Sequence, residues 1–176
     1  TGLTEQTAYE VQVATICGGT QGPWSSSTPF TTTPITYCNM TGTGTTDFIS
    51  NVTVTSVNPG IPPMSNTSVQ TNYISYTTPA TLINLEIDSS GNQLSVTKNG
   101  GQNDAVSAWI DFNRNGYFDI NERILAADPN TDATASGTFT VPADAFISLT
   151  DYKYVVMRVA MAKDAIPVNC ANFPNG

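Results

Sequence analysis

The sequence contains no histidine, and only six basic residues stand against fourteen acidic ones. Without histidine, Ser-His and Cys-His nucleophile systems cannot be assembled within this chain. A zinc site is poorly supported as well, because none of the three cysteines, Cys17, Cys38 and Cys170, stands in a CxxC pair. The formal net charge of -8 argues against nucleic acid or an anionic membrane surface as partner. No apolar run is long enough to cross a bilayer, so no membrane insertion is expected. No stretch carries Glu, Lys, Leu and Ala at helical spacing, which excludes long amphipathic helices. No signal peptide is visible, but the chain opens on Thr1, so a piece of a longer multidomain protein is the expectation.

What remains is rich in Thr, Ser, Asn, Gly and Pro, with Val, Ile and Tyr among the apolar residues. That mixture favours short strands joined by many turns, and hence an all-β, antiparallel sandwich. Sparse cysteines fit one disulfide plus one cysteine left over, or three buried reduced thiols.

Residues 1–33 read as two strands. Tyr9, Val11, Val13 and Thr15 alternate with Glu10, Gln12 and Ala14, the period-two pattern of a half-buried strand. A Gly-rich turn at 17–23 precedes a second strand from Trp24 to Thr32. Gly2-Leu3, the run from Thr7 to Val13, Trp24-Ser25 and Phe30-Thr31-Thr32 resemble the last two strands of a fibronectin type III domain. The resemblance implies that the Tyr9 hydroxyl fixes the turn before its strand. Two strands of such a sandwich cannot bury a core, so the rest of that domain is expected from outside the chain. Residues 34–36, in a Thr- and Pro-rich stretch, read as a stiff linker.

Residues 37–176 read as the main domain, with about eight or nine strands. Strands are expected over 47–54, 73–76, 81–88, 93–98 and 106–110, around Phe139 and Val141, and over 152–161, the last being the longest. Arg123-Ile124-Leu125 reads as a short segment that soon meets Pro129. Asn99-Gly100 is a strong hairpin signal.

Asp111-Phe112-Asn113-Arg114-Asn115-Gly116-Tyr117-Phe118-Asp119-Ile120-Asn121-Glu122 fits the twelve-residue calcium loop. Oxygen side chains stand at positions one, three, five, nine and twelve, with glycine at six. Calcium takes six to eight oxygens, and a tight loop with alternate inward side chains supplies several from one segment. The expected ligands are Asp111, Asn113, Asn115, the Tyr117 carbonyl, Asp119 and Glu122. With a strand upstream, the loop is expected without the paired helices of a helix–loop–helix hand. The plain alternative is a polar Asx-rich turn that binds nothing. Asp104 and Asp128 could add ligands, but a solvated acidic surface is the preferred reading of each.

Four stretches of the main domain resemble the GEVED domain of secreted and surface proteins of Bacteroidetes-type bacteria. They are Tyr37-Cys38, the run from Asp47 to Val52, the run from Ala108 to Asp119, and Met157 to Met161 with Pro167-Val168-Asn169-Cys170. The resemblance implies a jelly-roll-like sandwich in which Cys38 pairs with Cys170, leaving Cys17 over. Asn115 replaces the aspartate usual before the loop glycine, so a weaker calcium site is expected. The chain stops where the family's acidic signature would begin, so a last strand is expected beyond it.

The resulting expectation is a non-catalytic, Ca2+-stabilised module of a large extracellular or cell-surface protein of the adhesin, stalk or filament type. Its partners would be neighbouring domains, surface glycans or a secretion assembly. The alternative is a carbohydrate-binding accessory module of a secreted hydrolase or protease, in which Trp24, Trp109, Tyr73, Tyr76 or Tyr117 stacks on sugar rings. A paired-carboxylate hydrolase using Asp111 and Glu122 is conceivable, but calcium explains their spacing better, so no enzyme activity is expected.

Overall fold

A computed structural model of the chain describes residues 3–148 and 153–173. The chain is all-β and antiparallel, and it divides into two compact units, residues 1–37 and 38–176.

The first unit is a hairpin whose arms are each broken in two. β1 (Ala8–Val11) pairs with β4 (Thr28–Thr31), and β2 (Ala14–Cys17) pairs with β3 (Thr20–Trp24). Gly18 and Gly19 make the two-residue turn between Cys17 and Thr20. Both have positive φ, 55° and 82°, as a twisted hairpin turn requires. Tyr9 stacks on Phe30, and its hydroxyl accepts the Thr4 N–H at 2.8 Å. Val13, Ile16 and Trp24 are exposed, so this unit buries little of its own apolar surface.

The second unit is a sandwich of two antiparallel sheets. One has the order β10-β7-β5-β6, from β5 (Phe48–Thr55), β6 (Met64–Thr67), β7 (Ser90–Asn99) and β10 (Thr134–Thr140). The other has the order β11-β8-β9, from β8 (Asp104–Ile110), β9 (Arg123–Asn130) and β11 (Met157–Lys163). Alternation sets the facing of each strand. Val54 on β5, Leu94 and Val96 on β7, Val106, Ala108 and Ile110 on β8, and Phe139 on β10 meet in one core. β8 is the central strand of its sheet and is buried along its whole length. Cys38 and Cys170 form a disulfide across a separation of 132 residues, while Cys17 is free and exposed.

Several sequence expectations are corrected. Among the described residues the second unit has seven strands, fewer than expected. Residues 73–76 and 82–88 form no strand. Ile83, Leu85 and Ile87 still pack against the core, so their alternation marks a buried side without a pairing partner. Asn99-Gly100 does not close a hairpin: β7 and β8 lie in different sheets, and the turn carries the chain from one to the other. β9 runs on through Pro129, which an edge strand tolerates because no ladder N–H is needed on its open side. The longest strand is β7, ten residues, and β11 begins only at Met157. The expected start of that last strand, at 152, lies outside the described residues.

Candidate metal centre

β8 delivers Asp111 into a loop that ends where β9 begins at Arg123. Phe112 and Phe118 turn inward and are buried, which pins the loop to the sandwich and leaves the intervening polar residues to fold on themselves. The Asp111 N–H donates to the Val156 carbonyl at 3.0 Å, and the Phe146 N–H donates to the Phe112 carbonyl at 2.7 Å. Arg114 and Gly116 adopt positive φ, 55° and 86°, so the expected role of Gly116 in a sharp turn is realised, and Arg114 shares it.

The polar side chains form one ring of hydrogen bonds to loop amides. Asp111, with no exposed surface, accepts the Asn115 N–H on Oδ1 at 3.0 Å and the Gly116 N–H on Oδ2 at 2.9 Å. Asn113 Oδ1 accepts the same Asn115 N–H at 3.0 Å, and Asn115 Oδ1 accepts the Tyr117 N–H at 2.8 Å. Glu122 closes the ring: Oε1 accepts the Asn113 N–H at 3.3 Å and Oε2 the Asp119 N–H at 3.0 Å. A single 3-10 turn, Ile120–Glu122, places that carboxylate, and it is buried. Asn115 Nδ2 reaches Asp119 Oδ2 at 3.4 Å.

The loop thus brings Asp111, Asn113, Asn115, Asp119 and Glu122 into one network. The ring of Tyr117 is 69% exposed, so only its carbonyl is left to the site. Asp104 and Asp128 do not join them, because Asp104 starts β8 at its far end and Asp128 lies on β9 near Asn130, the partner of Asp104; Asp128 is exposed as expected, but Asp104 is buried at the start of the central strand and is no solvated surface acid. Among the described residues no three Asp, Glu, Cys or His side chains converge into a metal cluster. A cation here must therefore draw on amide and carbonyl oxygens as well as carboxylates. The donor set meets that demand. It is all hard oxygen, and each carboxylate oxygen that accepts one amide keeps further lone-pair capacity. The chemistry of the loop fits calcium.

Outside the loop, two basic side chains tie separate elements together. Lys98 lies on the core side of β7, in step with Leu94 and Val96, and its Nζ bridges the two sheets. It donates to the Asp104 carbonyl at 2.8 Å, the Asn130 carbonyl at 2.8 Å and Asn130 Oδ1 at 2.9 Å. Arg158 on β11 stacks over Phe118 and donates to the Cys38 carbonyl at 2.7 Å and to Asn169 Oδ1 at 3.2 Å. Of the aromatic residues considered for sugar stacking, Trp109 is buried, while Trp24, Tyr73, Tyr76 and Tyr117 are exposed.

Residues 105–176 match the family model of the GEVED domain. The matched range holds the loop, β9, β10 and β11, and Cys170. No curated protein matches the chain.

Proposed function

We propose that this chain is a non-catalytic, calcium-stabilised β-sandwich module of a large secreted or cell-surface bacterial protein of the adhesin, stalk or filament type. The observation that carries this reading is the ring of amide-oriented oxygens between β8 and β9, closed by the buried carboxylates of Asp111 and Glu122. Asp111, Asn113, Asn115, the Tyr117 carbonyl, Asp119 and Glu122 would hold Ca2+. The ion would offset the repulsion among these carboxylates and stiffen a loop that otherwise depends on amide contacts. Nothing in the ring presents a nucleophile next to a base, which favours a structural role over catalysis.

The GEVED match at 105–176 supports the family reading for the sandwich unit. The Tyr9 hydroxyl on the Thr4 N–H supports reading the hairpin unit as the last strands of a fibronectin type III domain. Two β-units in series suit a chain of domains at a bacterial surface, with Bacteroidetes-type bacteria as the source. Thermal melting with excess Ca2+ and then with chelator tests the metal. The expected result is a higher melting temperature with calcium and a smaller rise in Glu122→Gln; a rise that Glu122→Gln leaves unchanged, or no rise at all, rejects the loop as a calcium site.

A second reading, a carbohydrate-binding accessory module, draws on the exposed rings of Tyr73 and Tyr76. A glycan array probed with the chain tests it, and loss of a positive signal in Tyr73→Ala would assign the contact.

A further inference from the structure

We propose that Asp47 and Asp104 form a second site for a hard divalent cation, at the end of the sandwich opposite the Asp111–Glu122 loop. Asp104 is 1% exposed, yet neither of its carboxylate oxygens has a hydrogen-bond partner, and Oδ1 of Asp47, itself buried, has none either. The other Asp47 oxygen accepts the Thr46 hydroxyl at 3.2 Å. Three buried carboxylate oxygens therefore lack a donor from the protein, an arrangement that a counter-charge would relieve.

Lys98 does not supply that counter-charge by contact. Its three N–H donors are directed at the Asp104 and Asn130 carbonyls and Asn130 Oδ1, so none is left for either carboxylate. Around Asp104 stand Asp47, Asp164, Lys98 and Lys163, and Asp132 lines the same cavity. Burial, and then the charge of Asp47, push the Asp104 carboxyl above the ordinary carboxylate range, as two acids confined without a cation should.

Asp104 lines an open cavity of about 300 Å³ together with Gly100, Gly101, Gln102, Thr131 and Asp132. These residues come from the turn between β7 and β8 and the turn between β9 and β10, so the backbone of two turns can add carbonyl ligands to the carboxylates. Gly100 holds a φ of +130°, and a Cβ there would overlap Asp47 Oδ1. Glycine at 100 is what lets the Asp47 carboxylate lie against the turn. β8 separates this site from the loop by roughly 20 Å, from its seven residues at about 3.3 Å each, so the two sites can be titrated independently.

Calorimetric Ca2+ titration of the full chain, with the variants Asp104→Asn, Asp47→Asn and Glu122→Gln, tests the proposal. Both asparagines keep the shape and remove a buried charge, so neither threatens folding; burial of Trp109, read by fluorescence, checks it. The expected result is two calcium equivalents for the wild type. Glu122→Gln should lose one and keep the other. Asp104→Asn and Asp47→Asn should each weaken the kept one by roughly tenfold or more. If the loop binds nothing, the wild type shows one site that Glu122→Gln leaves intact and Asp104→Asn weakens to the same extent. Calcium binding that is unchanged in both Asp→Asn variants overturns the proposal, as does the absence of any uptake by Glu122→Gln.

Discussion

The guanidinium of Arg158 lies over the ring of Phe118, 4.7 Å from Cζ to the ring centroid. It also donates to the Cys38 carbonyl and to Asn169 Oδ1, while Asn169 Nδ2 donates to the Phe118 carbonyl at 3.1 Å. One side chain on β11 thus ties the disulfide segment to the eighth residue of the acidic loop. Arg158→Ala is expected to cost about 2–3 kcal/mol in urea unfolding, from the lost cation–π contact and charged hydrogen bonds. Arg158→Lys should recover little, because an ammonium cannot stack on the ring and serve both oxygens as a planar fork.

The Cys38–Cys170 disulfide closes a loop of 132 residues. On the entropic account that loop is worth roughly 5 kcal/mol, with strain in the folded state subtracting from it. The double variant Cys38→Ser/Cys170→Ser is expected to lose about 2–5 kcal/mol. Denaturant unfolding of the wild type with and without reductant should show the same loss, while Cys17→Ser should show none, since Cys17 is exposed and unpaired.

Lys98 is a different kind of clamp, reaching from β7 to Asp104 on β8 and Asn130 on β9. Lys98→Met fills the same volume but leaves buried carbonyls unsatisfied and removes the positive charge nearest Asp104. The expected cost is about 2–4 kcal/mol. It can be followed by fluorescence, because Trp109 is buried and Trp24 is already exposed.

These features differ in how far the sequence announces them. The acidic loop was legible because its oxygen-bearing side chains follow one another at fixed spacing, and local geometry decides such a segment. The core side of β7 and β8 was legible from period two. That pattern reports which side is buried, not which strand lies alongside. Ile83, Leu85 and Ile87 alternate like a strand and bury one side, yet make no ladder. Asn99-Gly100 supplies the positive φ of a tight turn, but a crossover between sheets needs the same freedom, and long-range pairing selects between the two outcomes. Lys98 stands in step with Leu94 and Val96, so its burial could have been read from the pattern. Its acceptors could not, because they lie on the other sheet. Asp47 opens one of the stretches that carry the family resemblance, but the influence of its charge on Asp104 arises only through tertiary folding.

Asp104 also predicts a dependence on pH in the metal-free protein. Its carboxyl is raised from the ordinary 3.8 by burial, and next by Asp47 and Asp164, with Lys98 and Lys163 acting the other way. Between 3.8 and that raised value the folded state holds a proton that the unfolded state has released. The contribution of this group to stability therefore falls as pH rises through the window, and above it the full cost of the buried charge is felt. In chelator at neutral pH, Asp104→Asn should melt higher than the wild type, since the amide is neutral at every pH. The difference should shrink as the solution is acidified through the window and vanish below it. Melting curves of both proteins across the acid range decide the matter; a wild type that is the more stable of the two at neutral pH in chelator would contradict the burial of an uncompensated charge at Asp104.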